Sequence, residues 1–272
     1  MYLFFSDMDG TLLDDKKQVS DYSRKTIERF RAAGHKFIVA TGRSLDSLQA
    51  TARKNGFEWV IEGTVICHNG SIIYDLDRDE ILAEYRIPKA DALELVRMAE
   101  ALGIYAQTYN SRGVVAKSPT AEAKFYVERT VMNIEYADDI STIMDEDPCK
   151  AVAITLGATD MVERYRQQVA EVYGGKYTTF FSSPQLLEVI DARSGKGQAV
   201  RFVADRYKVD IADVYAVGDE ENDYTMIQTA GRSVAMLNAN PKIKAIASTI
   251  TEYDNNHDGV ARMIEKLMGE TI

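Results

Sequence analysis

Asp7 and Asp9 stand two residues apart where the apolar run Tyr2-Leu3-Phe4-Phe5-Ser6 ends, and Gly10 and Thr11 follow at once. In extended chain, residues i and i+2 face the same side. The spacing therefore predicts two carboxyls pointing together beyond the end of a buried strand. Anions that close repel, so the pair needs a cation between them or a proton on one of them. A Mg²⁺ ion and an acid–base role would meet both needs. A D-x-D-G run also opens calcium-binding loops, but those require an acid or amide where Thr11 stands.

Two further apolar runs end in polar turns. Lys36-Phe37-Ile38-Val39-Ala40 leads into Thr41-Gly42-Arg43, and Val214-Tyr215-Ala216-Val217 into Gly218-Asp219-Glu220-Glu221-Asn222-Asp223. Ligands of an open parallel sheet sit beyond the carboxyl ends of its strands, so the three turns are expected to share one site. Each fragment alone has a plainer reading. Thr-Gly is a common turn, and Asn222 or Asp223 suits a helix N-cap. Lys196, in Ser194-Gly195-Lys196-Gly197, reads as a solvated lysine, although the dipole of the helix it opens disfavours a cation there.

The elements that must position these residues follow an α/β rhythm. A helix is expected from Ser20 to Ala33, a strand at Lys36–Ala40, a helix over Ser44–Asn55, a strand at Thr64–Cys67 and a hairpin around Ile72–Ala83. Alternation of this kind argues for a parallel sheet covered on both faces. Between about Tyr85 and Gln185 the rhythm changes. Two strands flanking the short Asn110–Gly113 loop must be antiparallel. Helices are expected at Pro88–Leu102, Thr120–Arg129 and Thr159–Tyr173, with strands at Ala151–Leu156 and Tyr177–Phe181 and an irregular connector at Tyr136–Lys150. From Leu186 the first rhythm returns. The expected fold is a Rossmann-like α/β core, residues 1–84 and 187–272, interrupted by an inserted α+β domain, residues 85–186.

Composition limits the partners. The chain has 272 residues, 46% hydrophobic and 27% charged, with a net charge of −10. That charge disfavours non-specific attraction to nucleic acid or an anionic membrane. No apolar run approaches the roughly 18 residues of a membrane span, and acidic residues follow the first apolar run, unlike a signal peptide. Cys67 and Cys149 are unpaired in pattern and read as reduced thiols. A cytoplasmic protein is expected. The oligomeric state stays open, a monomer being sufficient. His35, His68 and His257 lack ligand-like spacing and read as structural or exposed.

Together, Asp7-Met8-Asp9-Gly10-Thr11-Leu12, Ala40-Thr41-Gly42-Arg43, Lys196-Gly197 and Gly218-Asp219-Glu220-Glu221-Asn222-Asp223 resemble the ordered motifs of the haloacid dehalogenase-like hydrolases. The closer resemblance is to Cof-type phosphatases with a type IIB cap, which Asn69-Gly70, Ala235–Ala239 and Asp258-Gly259-Val260-Ala261 also match. The resemblance implies a Mg²⁺-dependent phosphatase of small phosphorylated metabolites, sugar phosphates foremost, working through an aspartyl-phosphate. It makes Asp7 the nucleophile and Asp9 the acid and base, with the Asp9 carboxyl raised by its neighbour and by partial burial. Asp7, the Asp9 backbone carbonyl and Asp219 would hold the metal, supported by Asp223. Thr41, Gly42, Lys196 and Asn222 would hold phosphate. Specificity would rest with the cap, where Tyr109, Asn110, Arg112, Lys117, Lys124 and Phe181 are candidates. Arg43 is a further one, an ordinary ion pair being its alternative. Two other readings remain open at this stage, a hexose-phosphate mutase and a non-catalytic phosphosugar-binding protein.

Overall fold

The structure is a computed structural model that describes residues 1–157 and 160–269. In chain order the elements are β1 (Leu3–Ser6), α1 (Asp21–Ala32), β2 (Lys36–Ala40), α2 (Leu45–Asn55), β3 (Thr64–Cys67), β4 (Ile72–Asp75) and β5 (Glu80–Glu84). They continue with α3 (Lys89–Ala101), β6 (Tyr105–Asn110), β7 (Gly113–Ala116), α4 (Ala121–Thr130), β8 (Ile134–Tyr136) and β9 (Ala151–Ile154). After these come α5 (Asp160–Tyr173), β10 (Tyr177–Ser183), β11 (Leu186–Asp191), α6 (Lys196–Tyr207) and β12 (Val214–Gly218). The last are α7 (Tyr224–Thr229), β13 (Arg232–Ala235), α8 (Pro241–Ile246), β14 (Thr249–Ile250) and α9 (Gly259–Gly269). The expected start of one helix at Thr159 lies outside the described residues.

The chain divides into two compact units. One comprises Met1–Ser44, Leu48–Ala83 and the chain from Gly195 onward; the other comprises Leu45–Ser47 and Glu84–Ser194. The first holds a sheet of order β14-β13-β12-β1-β2-β3-β4-β5. It is parallel from β14 to β3 and turns antiparallel at β4. β1 lies at its centre because Leu3, Phe4 and Phe5 are wholly apolar and wholly buried, as a strand covered on both faces must be. The chain moves from β1 to β2 on one side, while β12 lies on the other. The crevice beyond the ends of β1 and β12 is thus the switch point where such sheets bind ligands. Ser20 caps α1 by accepting from the Ser23 amide, as its position before the apolar-periodic stretch predicts.

The second unit has its own sheet, β10-β11-β9-β6-β7-β8. Its pairs are antiparallel except for β7 with β8. α3 and α5 cover one face with Leu95, Val96, Val162 and Tyr165 against Ala106, Val115, Leu187 and Val189. The mixed α/β class agrees with expectation, but the boundary at 187 does not. Leu186–Asp191 pairs antiparallel with β10 and β9, so the chain leaves this unit only after Ser194. A continuous apolar strand reads alike in a parallel or an antiparallel sheet; the tight Pro184-Gln185 turn before it is the signal that would have joined it to β10. β8 and β14 are short strands that the periodicity does not mark.

Candidate active site

β1 ends at Ser6, yet the Asp7 amide still donates to the Val217 carbonyl of β12 at 3.0 Å. That bond extends the ladder by one residue and delivers Asp7, 6% exposed, to the sheet's end. Beyond Asp7 the chain turns: Met8 is buried, and Gly10 adopts φ of +81°. A side chain at Gly10 would lie 2.4 Å from Asp219 Oδ2, so the left-handed turn and the contact with Asp219 both require glycine. The i, i+2 expectation fails here. Extended structure stops before Asp9, and the two carboxyls take different partners.

Asp7 meets Lys196. The ammonium, fully buried at the start of α6, donates to Asp7 Oδ1 at 2.5 Å and to Asp223 Oδ1 at 2.6 Å. The plain reading of a solvated lysine is therefore overturned. Its side chain is held by two carboxylates instead of by water, which offsets its position at a helix N-terminus. Asp223 Oδ2 accepts from the amides of Asp219 and Glu220 at 2.9 and 3.2 Å. Thr11 Oγ1 donates to Asp219 Oδ1 at 2.7 Å. Thr11 enters the site through that bond, a role its sequence position does not announce.

Carboxylate oxygens of Asp7, Asp219 and Asp223 lie within 4.8 Å of one another, all buried. Burial raises the Asp7 carboxyl and Asp223 adds to the rise, against the attraction of Lys196. Burial likewise raises Asp219, helped by Asp7 and Asp223. For Lys196 burial works against the charge, but Asp223 and Asp7 outweigh it and hold the ammonium charged. Three buried acids facing one buried ammonium leave an excess of negative charge. An all-oxygen set of this kind fits a hard divalent cation such as Mg²⁺. Asp7 and Asp219 would hold it. Asp223, with both oxygens engaged, suits the outer support expected of it.

Asp9 behaves oppositely to expectation. Burial alone would raise its carboxyl, but the charge and hydrogen bonds of Arg43, then of Lys17, hold it well below the usual carboxylate range. Arg43 Nε and Nη2 donate to Asp9 Oδ2 and Oδ1 at 2.8 and 3.0 Å, and Lys17 Nζ to Oδ1 at 2.7 Å. The expected rise assumed Asp7 as the dominant neighbour, whereas two cations are nearer in effect. Lys17 carried no sequence signal, because a lysine in the polar stretch Asp14–Gln18 looks like any surface lysine.

Thr41 is buried just past β2, and its hydroxyl accepts from the Arg43 amide at 3.2 Å. Its carbonyl accepts from the Asn69 amide at 2.9 Å. Asn69 sits against Gly42, where a Cβ would lie 3.0 Å from the Asn69 amide nitrogen. Asn222 Nδ2 donates to Asn69 Oδ1 at 3.0 Å. The left-handed Asn69, φ 56°, thus joins the threonine turn to the Asn222 turn. Thr41, Gly42, Lys196 and Asn222 belong to the same unit and surround the ends of β1, β2 and β12.

The candidates of the second unit serve their own unit. Asn110 closes the β6–β7 turn by accepting from the Arg112 and Gly113 amides. Arg112 pairs with Glu135 and Asp145, Lys117 with Glu100, and Lys124 is exposed near Glu128. The hydroxyl of Tyr109 bonds that of Tyr126, and Phe181 lies beneath the Arg166 guanidinium. Among the described residues no helix is long and apolar enough to cross a membrane.

Known proteins with similar chains agree with this architecture. The Bacillus subtilis 5-amino-6-(5-phospho-D-ribitylamino)uracil phosphatase YwtE is 26% identical over 295 residues, covering 96% of each chain. The Escherichia coli pyridoxal phosphate phosphatase YbhA is 26% identical over 270 residues, covering 95% of each. A crystal structure of a haloacid dehalogenase-like hydrolase from Bacteroides thetaiotaomicron superposes with a TM-score of 0.83 at 26% identity, covering 98% of this chain and 99% of that one. The family model of the haloacid dehalogenase-like hydrolases matches residues 4–264, which includes every polar group placed at the strand ends above, and the chain belongs to that family.

Proposed function

We propose that this chain is a Mg²⁺-dependent phosphatase of small phosphorylated metabolites, sugar phosphates foremost, that works in the cytoplasm through an aspartyl-phosphate. The observation that carries the reading is the buried Lys196 ammonium between Asp7 and Asp223, with the Asp219 carboxylate in reach, at the ends of β1 and β12. Phosphoryl transfer requires an in-line nucleophile, charge neutralisation on the transferred oxygens and a proton for the leaving group. In this reading Asp7 is the nucleophile and Lys196 neutralises charge, while the proton falls to Asp9, outside this cluster. The names of YwtE and YbhA, one carrying a phospho-ribityl group, support a small phosphorylated metabolite as substrate. The resemblance of the motifs to those of Cof-type phosphatases supports selection among substrates by the inserted unit.

Asp7 attacks phosphorus through a carboxylate oxygen, and the phosphorus–ester oxygen bond breaks. The electrons of that bond pass to the ester oxygen, which takes the proton of Asp9 and leaves as an alcohol. Water then attacks phosphorus and gives its proton to Asp9. The bond to Asp7 breaks, and inorganic phosphate departs. Thr41, the Gly42 amide, Asn222 and Lys196 hold the phosphoryl oxygens while charge builds on them. Bound Mg²⁺ would add charge neutralisation for those oxygens. Arg43 and Lys17 favour the ionised Asp9 that the second half of the cycle uses as base, so the first half requires their grip to yield to a proton on Asp9.

Asp7→Asn keeps the shape of the side chain and removes the nucleophile. Phosphate release from a panel of sugar and cofactor phosphates, assayed with Mg²⁺ and again with a chelator, is expected to vanish in the variant and in the chelator. Full turnover by Asp7→Asn would sink the proposal. A hexose bisphosphate in the panel separates hydrolysis from transfer, since a mutase returns an isomerised monophosphate in place of inorganic phosphate.

A further inference from the structure

We infer that Asn69 is a positioning residue that sets the phosphate-holding groups, acting through the Asn222 amide and the Thr41-Gly42 turn. The inference rests on the phosphatase reading above and deepens it. Asn69 is the middle residue of the turn His68–Gly70, which follows β3. It is 1% exposed and left-handed, with φ of 56°. Glycine takes that backbone at no steric cost, and asparagine tolerates it. What asparagine adds over glycine is a side-chain amide, and here the amide lies between two of the groups assigned to phosphate. Its oxygen accepts from Asn222 Nδ2 at 3.0 Å. Its nitrogen and oxygen both lie against Gly42, 3.0 and 3.1 Å from where a Cβ would stand. The main chain secures the same turn. The Asn69 amide donates to the Thr41 carbonyl and the His68 amide to the Arg43 carbonyl, each at 2.9 Å. Gly70, with φ of +97°, packs so closely on the loop before α6 that a Cβ there would lie 2.3 Å from the Gly195 carbonyl oxygen.

A primary amide carries two N–H donors on one arm and an acceptor oxygen on the other. Turned the wrong way, Asn222 would offer phosphate a carbonyl oxygen, which repels it. Asn69 Oδ1 takes one of the two N–H groups and so fixes which arm of the Asn222 amide is which. The second N–H remains for a phosphoryl oxygen. Asn222 depends on such a partner because it stands in the turn beyond β12, only half-buried, where the sheet no longer sets its side chain. The contact with Gly42 acts on the other side of Asn69. The amide fills the space that a side chain at Gly42 would take, which limits how far that turn can shift while its N–H holds an oxygen. One residue thereby spaces donors at the end of β2 from donors beyond β12, two strands that β1 separates in the sheet.

Calorimetric titration with inorganic phosphate in excess Mg²⁺ reads the effect directly. Asn69→Gly keeps the left-handed backbone and its N–H and removes only the amide. It is expected to weaken phosphate binding about tenfold, the scale of one hydrogen bond to a charged group, and Asn222→Ala by about as much. The double variant should bind no more weakly than Asn69→Gly alone, because Asn222 without its partner no longer presents an N–H. A role in packing alone would leave the two losses additive, near 100-fold together. That result, or unchanged affinity in Asn69→Gly, overturns the inference. Asn69→Asp keeps the acceptor, so Asn222→Ala should there cost its full factor of about ten. This second pair decides the matter if Asn69→Gly does not unfold cooperatively, and no added loss from Asn222→Ala in it would be the overturning result. Phosphate release, measured alongside, should vanish in Asp7→Asn. Turnover there defeats the phosphatase reading, whereas an inactive Asp7→Asn with additive losses at positions 69 and 222 defeats only the role of Asn69.

Discussion

Lys196 lies wholly out of water with one carboxylate on each side, at 2.5 and 2.6 Å. A buried ion pair is often no more stable than an apolar replacement, but removing one partner strands the other's charge. Lys196→Met should therefore destabilise the metal-free protein by about 3–5 kcal/mol at neutral pH. A chemical-denaturation midpoint measured in chelator checks this, and a variant as stable as the parent would contradict it. At the same scale, the types of Asp7, Asp219 and Lys196 were legible, but the local context of Lys196 read as a solvated lysine and only the family resemblance placed it at the site. The partners of Asp9 were not, since nothing in the spacing between residues 9, 17 and 43 marks them as neighbours.

At the scale of elements, the site depends on how closely strand ends and helix starts approach. α6 begins with Lys196 and packs so tightly on α7 that a Cβ at Gly197 would lie 2.5 Å from the Thr225 carbonyl oxygen and 2.9 Å from its Cβ. The Gly197 amide also bonds Thr225 Oγ1 at 3.1 Å. Gly197→Ala thus sets two effects against each other. Alanine gains about 1 kcal/mol of helix propensity over glycine, while overpacking against backbone costs about 1–3 kcal/mol. The contact is with main chain, which yields less readily than a flexible side chain, so overpacking should win. A net loss of stability with reduced kcat is expected from denaturation and phosphate-release assays; a more stable, fully active variant would refute the packing argument. Strands β1, β2, β3 and β12 were legible because each is a short, continuously apolar run ended by polar turn residues. β11 was assigned to the wrong unit because apolar composition reports burial and says nothing about which sheet a strand joins.

At the scale of the whole molecule, the chain builds two separate cores. The second unit buries Ile87, Leu95, Val96, Ile104, Val115, Tyr165, Leu187 and Val189 among its own helices and strands. A core contained within one stretch of chain meets the usual condition for independent folding. Residues 84–194 expressed alone should therefore unfold cooperatively on heating and show mixed helix and strand by circular dichroism. A broad, non-cooperative melt would show that this stretch depends on the rest of the chain.

The sequence by itself determined which chemical groups the protein has and that they stand at strand ends. Short buried strands must be apolar, and the first polar residues after them must lie at the sheet's edge, so that much is written locally. Only the tertiary structure decided which groups meet. Lys196 reaches Asp7 across most of the chain, and Arg43 and Lys17 converge on Asp9 from separate loops. Those pairings depend on the order of strands in the sheet and on where each loop returns, and no local pattern encodes either. That is why the opening acids depart from expectation in opposite directions: Asp7 is raised by burial, with Asp223 adding to the rise, and Asp9 is lowered by the cations brought to it.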